Sequence, residues 1–110
     1  MVIEVLYIPG CCNHPLALER VRQALRSADT EQPIAEISVS DEETARALQF
    51  PGSPTVRING VDVESGIGTF IGIGCRLYAD GSGLPSEHAI MRAVQMARNQ
   101  ERNRGTSTAS

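Results

Sequence analysis

The sequence lacks the features that mark a membrane protein, a secreted protein or a nucleic-acid-binding protein. No apolar run in its 110 residues approaches the roughly 20 residues of a membrane-spanning helix. Met1 leads directly into a strand-like segment, without the basic and apolar regions of a secretory signal. The formal net charge is −3 at pH 7, whereas a nucleic-acid-binding surface is basic. The sequence therefore predicts a cytoplasmic protein that has neither a membrane nor a nucleic-acid partner.

Cysteine is scarce, and the Cys-x-x-Cys pair of many redox proteins is missing. The chain has three cysteines, Cys11, Cys12 and Cys75, and the four-residue motif that begins at Cys11 ends in His14. An odd number of cysteines leaves at least one thiol free unless two chains pair. In a cytosolic protein such thiols are more often catalytic, metal-binding or redox-active than structural.

The first two cysteines follow a predicted strand and precede a predicted helix. The apolar run Val2–Ile8 predicts a buried parallel strand, which ends in a Pro-Gly turn. Pro15 suits the first helical position, and apolar residues then recur every three or four positions over an amphipathic helix. Cys11 and Cys12 are therefore expected at a helix N-terminus. The partial positive charge there favours the thiolate, which is the form that attacks disulfides and binds soft metals.

A second strand and a second helix are predicted next. Apolar and polar residues alternate over Ile34–Val39, which indicates a strand. A capping box of Ser40 with Glu43 then predicts a short helix over Asp41–Leu48.

A β-hairpin, a short extended piece and a closing helix follow. Asn59-Gly60 is a strong hairpin signal and joins the β-rich stretches Thr55–Ile58 and Val61–Glu64. Residues Cys75–Tyr78 are β-like, and Pro85-Ser86 opens the last helix. The buried stripe of that helix is predicted to be Ile90, Met91, Val94 and Ala97.

The length of the chain fits one domain, followed by a tail. We expect the domain to occupy residues 1–98. Residues 99–110 are small and polar, and the sequence predicts that this tail is disordered.

The predicted order βαβα-ββα is that of an α/β fold with a mixed central sheet flanked by helices, and it resembles the thioredoxin fold. Two segments carry the resemblance: Cys11 between the first strand and helix, and Gly52-Ser53-Pro54-Thr55-Val56 before the hairpin. The resemblance implies a cis Ser53–Pro54 bond beside Cys11. It also implies that Ser53 and Pro54 contact an extended thiol or disulfide substrate through the backbone of residue 53.

The chain is similar over about residues 2–97 to small bacterial thioredoxin-like proteins that often carry the label alkylmercury lyase. The similar motifs are the Tyr-x-x-Gly-Cys start at Tyr7–Cys11, the Gly52–Gly60 core and the late Cys75–Tyr78 motif. The well-understood organomercurial lyase has a different fold, so the label carries no mechanism. It does imply mercury handling as an alternative function.

Three arrangements of the thiols stay open. Cys11 acts alone as a nucleophile, or it forms a strained vicinal disulfide with Cys12, or Cys75 resolves the mixed disulfide that Cys11 forms. His14 is a candidate thiolate stabiliser, proton donor or metal ligand, and its alternative is a plain helix-start residue. Cys12 and Cys75 are either reactive thiols or small apolar side chains that pack in the protein.

Three functions follow from these residues. The first is a thiol–disulfide oxidoreductase that uses Cys11 and requires no cofactor. The second is a binding module that holds Hg, Zn or Cu through Cys11 and Cys12. The third is a thioredoxin-fold scaffold without catalysis. The glycine-rich and apolar residues 66–74 are expected to cover the cysteines or to contact a second chain in an oligomer.

Overall fold

The computed structural model describes residues 1–64, 71–74, 76, 78 and 82–108, with side chains as far as residue 101. Within these residues the chain forms four strands and three helices in the order β1-α1-β2-α2-β3-β4-α3, and this confirms the predicted order. The strands are β1 (Ile3–Tyr7), β2 (Ile34–Ser38), β3 (Thr55–Ile58) and β4 (Val61–Asp62). The helices are α1 (His14–Ser27), α2 (Glu42–Ala47) and α3 (Glu87–Thr108).

The four strands form one mixed sheet in the order β2-β1-β3-β4. The central strand β1 is parallel to β2 and antiparallel to β3, while β3 and β4 form the hairpin. Asn59 and Gly60 have φ values of 54° and 80°, which fits a type I′ turn. The fold class is therefore α/β, as the sequence predicts.

Strand β1 is buried on both faces, which explains its nearly continuous apolar sequence. Ile3 and Val5 face a core cluster that includes Val21 of α1 and Val94 of α3. Leu6 points to the opposite face and joins a second cluster. That second cluster consists of Leu6, Val39, Ala45 and Phe50, with Ala45 contributed by α2. Helices α1 and α3 thus cover one face of the sheet, and α2 covers the other.

The N-terminus of α2 differs from the predicted capping box. The cap is Asp41, which has extended backbone and whose Oδ1 accepts a hydrogen bond from the Thr44 amide at 2.7 Å. This hydrogen bond holds the pKa of the Asp41 carboxyl below its usual value. The prediction of a capping box between Ser40 and Glu43 is therefore wrong. Asp41 is as good a cap as Ser40, and the helix begins one residue later than the pattern suggests.

Strand β4 is shorter than the predicted stretch Val61–Glu64. The Val63 amide still bonds to the Val56 carbonyl at 3.0 Å, but the Glu64 amide turns back to Asp62 Oδ1 at 3.0 Å. This local side-chain bond turns the backbone after Val63, and the strand ends at Asp62. Of the predicted extended piece Cys75–Tyr78, Cys75 and Leu77 lie outside the described residues.

Helix α3 starts where the sequence predicts and continues further. The Ser86 hydroxyl oxygen accepts a hydrogen bond from the Ala89 amide at 3.0 Å and caps the first turn. The helical backbone then runs past Asn99 to Thr108, where the sequence predicts a disordered tail. The Met1 ammonium pairs with Glu101 and so ties the first turn beyond Asn99 to the start of β1.

The loop before β3 approaches the segment around Arg76 very closely. Ser53 donates its amide to the Gly74 carbonyl at 2.8 Å and accepts the Arg76 amide on its own carbonyl at 3.0 Å. Gly52, with φ of 122°, lies against the Arg76 backbone. A Cβ at residue 52 would lie 3.0 Å from Arg76 Cβ and 3.2 Å from Arg76 Cα. Only glycine fits this position without displacing the backbone of the neighbouring segment.

Gly60 is the matched control for a substitution at Gly52, because its φ is also positive but a Cβ there meets nothing within 4 Å. We expect Gly60→Ala to lower the free energy of unfolding by about 1–2 kcal/mol, through backbone conformation alone. Gly52→Ala adds overpacking and should cost about 1–3 kcal/mol more. Urea unfolding of both variants measures the difference. Equal losses at the two positions would contradict the close packing of residue 52 on Arg76.

Candidate functional site

Cys11 ends a tight turn that leaves the central strand. The Cys11 amide donates to the Ile8 carbonyl at 3.0 Å, and Gly10 has a φ of 85°. Pro at the second and Gly at the third position suit such a turn, because Pro fixes its own φ and Gly tolerates a positive one. Cys11 is half-buried, Cys12 is exposed, and both are free thiols. The turn therefore presents two thiols at the junction of β1 and α1.

Helix α1 begins immediately after the two cysteines. Its first residue is His14, its N-cap is Asn13, and the Asn13 side chain makes no capping hydrogen bond. The His14 amide donates to the Cys11 carbonyl at 3.3 Å. The amides of the first helical turn thus lie next to the cysteine turn, with the partial positive charge that every helix N-terminus carries.

The imidazole of His14 packs toward β2. It stacks on the Tyr7 ring with centroids 3.7 Å apart and an interplanar angle of 4°. His14 Nε2 lies 2.9 Å from Glu36 Oε1, but the ring N–H is not aligned for a hydrogen bond. Within the described part of the chain, the side chain of His14 has no hydrogen bond to Cys11 or Cys12. The role of His14 toward the thiols therefore stays a prediction.

Ser53 and Pro54 lie beside the cysteine turn, and the peptide bond between them is cis, as the resemblance implies. The Ser53 hydroxyl accepts a hydrogen bond from the Ile8 amide at 3.0 Å, while the Ile8 carbonyl accepts the bond from Cys11. Ser53 is 2% exposed. The loop is thus fixed to the first residue of the turn that carries the thiols.

The backbone of Ser53 is not free for a substrate in this structure. Its amide and its carbonyl bond to Gly74 and Arg76. The predicted pairing of residue 53 with an extended substrate therefore requires this segment of the chain to move aside. Cys75, the third cysteine among the predicted site residues, lies between Gly74 and Arg76 in the sequence and outside the described residues.

Arg76 lies next to the candidate site, although no role was predicted for it from the sequence. Its guanidinium donates to Asp62 Oδ2 at 2.6 Å, to Thr55 Oγ1 at 3.2 Å and to the Glu64 carbonyl. It also lies 4.4 Å from the centre of the Tyr78 ring, and the Arg76 side chain is only 10% exposed. In the sequence Arg76 belongs to the Cys75–Tyr78 motif, which does not identify the partners of its side chain.

Tyr78 closes the polar network under the cis bond. Its hydroxyl donates to the Pro54 carbonyl, and its side chain is buried. Burial raises the pKa of the Tyr78 hydroxyl far above its usual value, and the nearby Arg76 charge opposes that shift only in part. The neutral hydroxyl is thus the form that the folded protein holds.

Metal ligands do not converge in the described residues. Among residues 1–64, 71–74, 76, 78 and 82–101, no group of three or more His, Cys, Asp and Glu side chains could hold a metal ion. A site of two thiolates, Cys11 and Cys12, needs no such group of three ligands. In the predicted contact segment 66–74, Ile71 is exposed, Ile73 packs on the second core cluster, and residues 66–70 lie outside the described residues.

No helix in the described part of the chain is long and apolar enough to cross a membrane. No protein-family model matches the chain, and comparisons with curated proteins and with solved structures find no match. The assignment of a function therefore depends on the cysteine turn and its surroundings.

Substitution Tyr78→Phe tests the network below Pro54. Removing the hydroxyl leaves the buried Pro54 carbonyl without its partner, and we expect a loss of about 1–3 kcal/mol at pH 7. The sign of the pH effect follows from the raised pKa of Tyr78, because the unfolded chain releases this proton near pH 10 and the folded chain retains it. Stability from Tyr78 is complete below about pH 10 and is lost as the pH rises further.

Urea unfolding at pH 8 and pH 10.5 measures this effect. The unfolding free energy of the wild type should fall more steeply between the two pH values than that of the Tyr78→Phe variant. The same pH dependence in both proteins would contradict a buried, neutral Tyr78 hydroxyl.

Proposed function

We propose that this chain is a thioredoxin-like thiol protein in which Cys11 attacks the sulfur of a disulfide substrate. One observation carries the proposal. Cys11 is a free, half-buried thiol in the turn between the central strand β1 and helix α1, beside the cis Ser53–Pro54 loop. The cytoplasm, a reducing compartment, suits a thiol that has to be regenerated.

The architecture supports the thioredoxin-like part of the proposal. A parallel β1-α1-β2 unit, an antiparallel β3-β4 hairpin and a closing helix α3 follow one another in the order that the resemblance implies. The cysteine turn leaves the central strand at its C-terminal end, and ligand sites of parallel α/β units commonly lie at such ends.

The chemistry is a thiol–disulfide exchange in two displacements. The Cys11 thiolate attacks one sulfur of the substrate disulfide, the S–S bond breaks, and the other sulfur leaves as a thiolate that takes a proton from water. A second thiol then attacks the mixed disulfide. If Cys75 attacks the Cys11 sulfur, the rest of the substrate leaves as a thiol and a Cys11–Cys75 disulfide remains, which an external thiol such as glutathione then reduces. If an external thiol attacks the substrate sulfur, Cys11 is restored and the substrate leaves as a disulfide with that thiol. The amides at the start of α1 stabilise the Cys11 thiolate before the attack.

The second thiol comes either from an external thiol such as glutathione or from Cys75. His14 stands where a Cys-x-x-Cys protein has its resolving thiol, and an imidazole cannot form a disulfide. Gly74 and Arg76, the sequence neighbours of Cys75, both bond to Ser53, and the Ser53 hydroxyl bonds to Ile8 at the start of the cysteine turn. This short path of hydrogen bonds favours Cys75 as an internal partner.

The two neighbouring cysteines are matched controls for each other. We expect Cys11→Ser to lower the rate of glutathione-dependent reduction of a small disulfide by at least about a hundredfold, because the nucleophile is removed. Cys12→Ser should keep the rate within about threefold of the wild type. A Cys12→Ser variant that loses the activity while Cys11→Ser keeps it would contradict the assignment of the nucleophile.

A Cys75→Ser variant identifies the second thiol when free thiols are counted after oxidation. If Cys75 resolves the mixed disulfide, oxidation with diamide consumes two thiols per wild-type chain. In the Cys75→Ser chain, Cys11 then either stays a free thiol or forms a disulfide with a thiol from outside the chain. Loss of two thiols in the Cys75→Ser chain would exclude Cys75 as the partner and leave the Cys11–Cys12 pair.

Soft-metal binding is the second candidate function, and the accessibility of two adjacent free thiols favours it. A Hg(II) ion held by Cys11 and Cys12 as thiolates needs no third ligand from the chain. Native mass spectrometry should then show one Hg(II) per chain, and both Cys11→Ser and Cys12→Ser should weaken it. Retention of Hg(II) in the Cys12→Ser variant at the wild-type level would rule out the two-thiolate site.

A further inference from the structure

A groove between the hairpin and α3 lies apart from the cysteine turn. It encloses about 480 Å³ and is lined by residues of the β3–β4 hairpin, by the stretch that follows β4 and by residues between Ser86 and Gln100 at and along α3. Neither Cys11 nor Cys12 is among the lining residues. The groove therefore has no part in the chemistry proposed for Cys11.

The walls of the groove are largely apolar and open to solvent. Val61 is 65% exposed and Met96 is 56% exposed, and both are among the most exposed large apolar side chains of the described residues. Val63, Ala89 and Ala93 continue the same lining. An unbranched, flexible Met side chain adapts to ligands of different shape, and exposed apolar residues that share one groove commonly mark a binding surface.

One carboxylate oxygen in this lining has no partner. Glu64 Oε1 accepts the Ser86 amide at 3.3 Å, but Glu64 Oε2 is buried and accepts no hydrogen bond from the described residues. The neighbouring carboxylate of Asp62 is fully used, because Oδ1 accepts the Glu64 amide and Oδ2 accepts Arg76. Glu64 Oε2 is thus the unused acceptor of the groove.

The backbone of Glu64 is held at its amide and its carbonyl, and one oxygen of its carboxylate has a partner. The Glu64 carbonyl accepts the Arg76 guanidinium, its amide bonds to Asp62, and Ser86 holds Oε1. A buried acceptor without a donor destabilises the folded protein, and a donor from a ligand removes that cost. Because the folding of the chain has already desolvated Glu64 Oε2, a cationic donor does not have to desolvate it again.

We propose that this groove binds a small primary amine with an apolar chain. The Glu64 side chain rotates to bring Oε2 to the surface of the groove, where the ammonium donates to it, and the chain lies on Val61 and Met96. The ammonium supplies the missing donor together with the opposite charge. The apolar chain covers the exposed methyl and thioether groups.

Two further charged or titratable side chains line the groove, His88 and Arg92, and both are exposed on α3. Arg92 forms no ion pair in the described part of the chain. Its positive charge repels an ammonium, so the proposal predicts that removing Arg92 strengthens amine binding.

The test uses hexylamine, which is a cation at pH 7, and hexanol, which has the same chain without the charge. Chemical shifts of the Met96 and Ala93 methyl groups in the full chain report binding. Hexylamine should bind in about the millimolar range and at least about tenfold more tightly than hexanol. Glu64→Gln should abolish this preference, while Glu42→Gln, an exposed carboxylate on α2, should leave it unchanged.

A second pair of variants separates binding from folding. Ala89→Leu fills the groove and should abolish the shifts produced by hexylamine, with the wild-type unfolding temperature retained. Arg92→Ala should tighten hexylamine binding by about twofold or more. Equal binding of amine and alcohol, a preference that persists in Glu64→Gln, or weaker amine binding by Arg92→Ala would overturn the proposal.

Discussion

The three hydrogen bonds of Ser53 are the constraint on which the candidate site depends. Its hydroxyl holds the amide of Ile8, its own amide holds Gly74, and its carbonyl accepts Arg76. These bonds join the end of the central strand, the cis loop and the segment before the last helix. Because Ser53 is buried, each of its polar groups has to be paired, and this requirement fixes the three segments relative to one another.

A charged residue in a buried position supports the same junction. Arg76 bonds to Asp62, Thr55 and the Glu64 carbonyl, and its guanidinium lies over the ring of Tyr78. Burying a guanidinium is costly unless its donors are paired, and here acceptors and an aromatic face satisfy it together. The network thereby connects the cysteine turn, through Ser53, to the hairpin that lines the groove proposed to bind an amine.

The sequence predicted those features that depend on local chemistry. Asn59-Gly60 requires positive φ values, and the structure has them at both residues. The run Val2–Ile8 is apolar on both faces because β1 is the second strand of four and is covered on both sides. Ser40 and Asp41 are equivalent as caps by sequence, so the capping residue depended on where the β2–α2 loop ends.

Contacts between distant segments could not be predicted in the same way. Arg76, Tyr78 and the unpaired oxygen of Glu64 depend on tertiary packing across 14 to 24 residues, and no spacing rule encodes such contacts. The stacking of His14 on Tyr7 is a further example, because both side chains had to lie on the same face of the β1–α1 junction.

The central claim is that Cys11, rather than the more exposed Cys12, is the nucleophile. The most direct measurement is the location of the mixed disulfide after the reduced protein reacts with less than one equivalent of glutathione disulfide. Peptide mass spectrometry under acidic quenching can assign the glutathione to one of the two adjacent cysteines. The proposed function predicts that the glutathione is on Cys11, and glutathione mainly on Cys12 would contradict it.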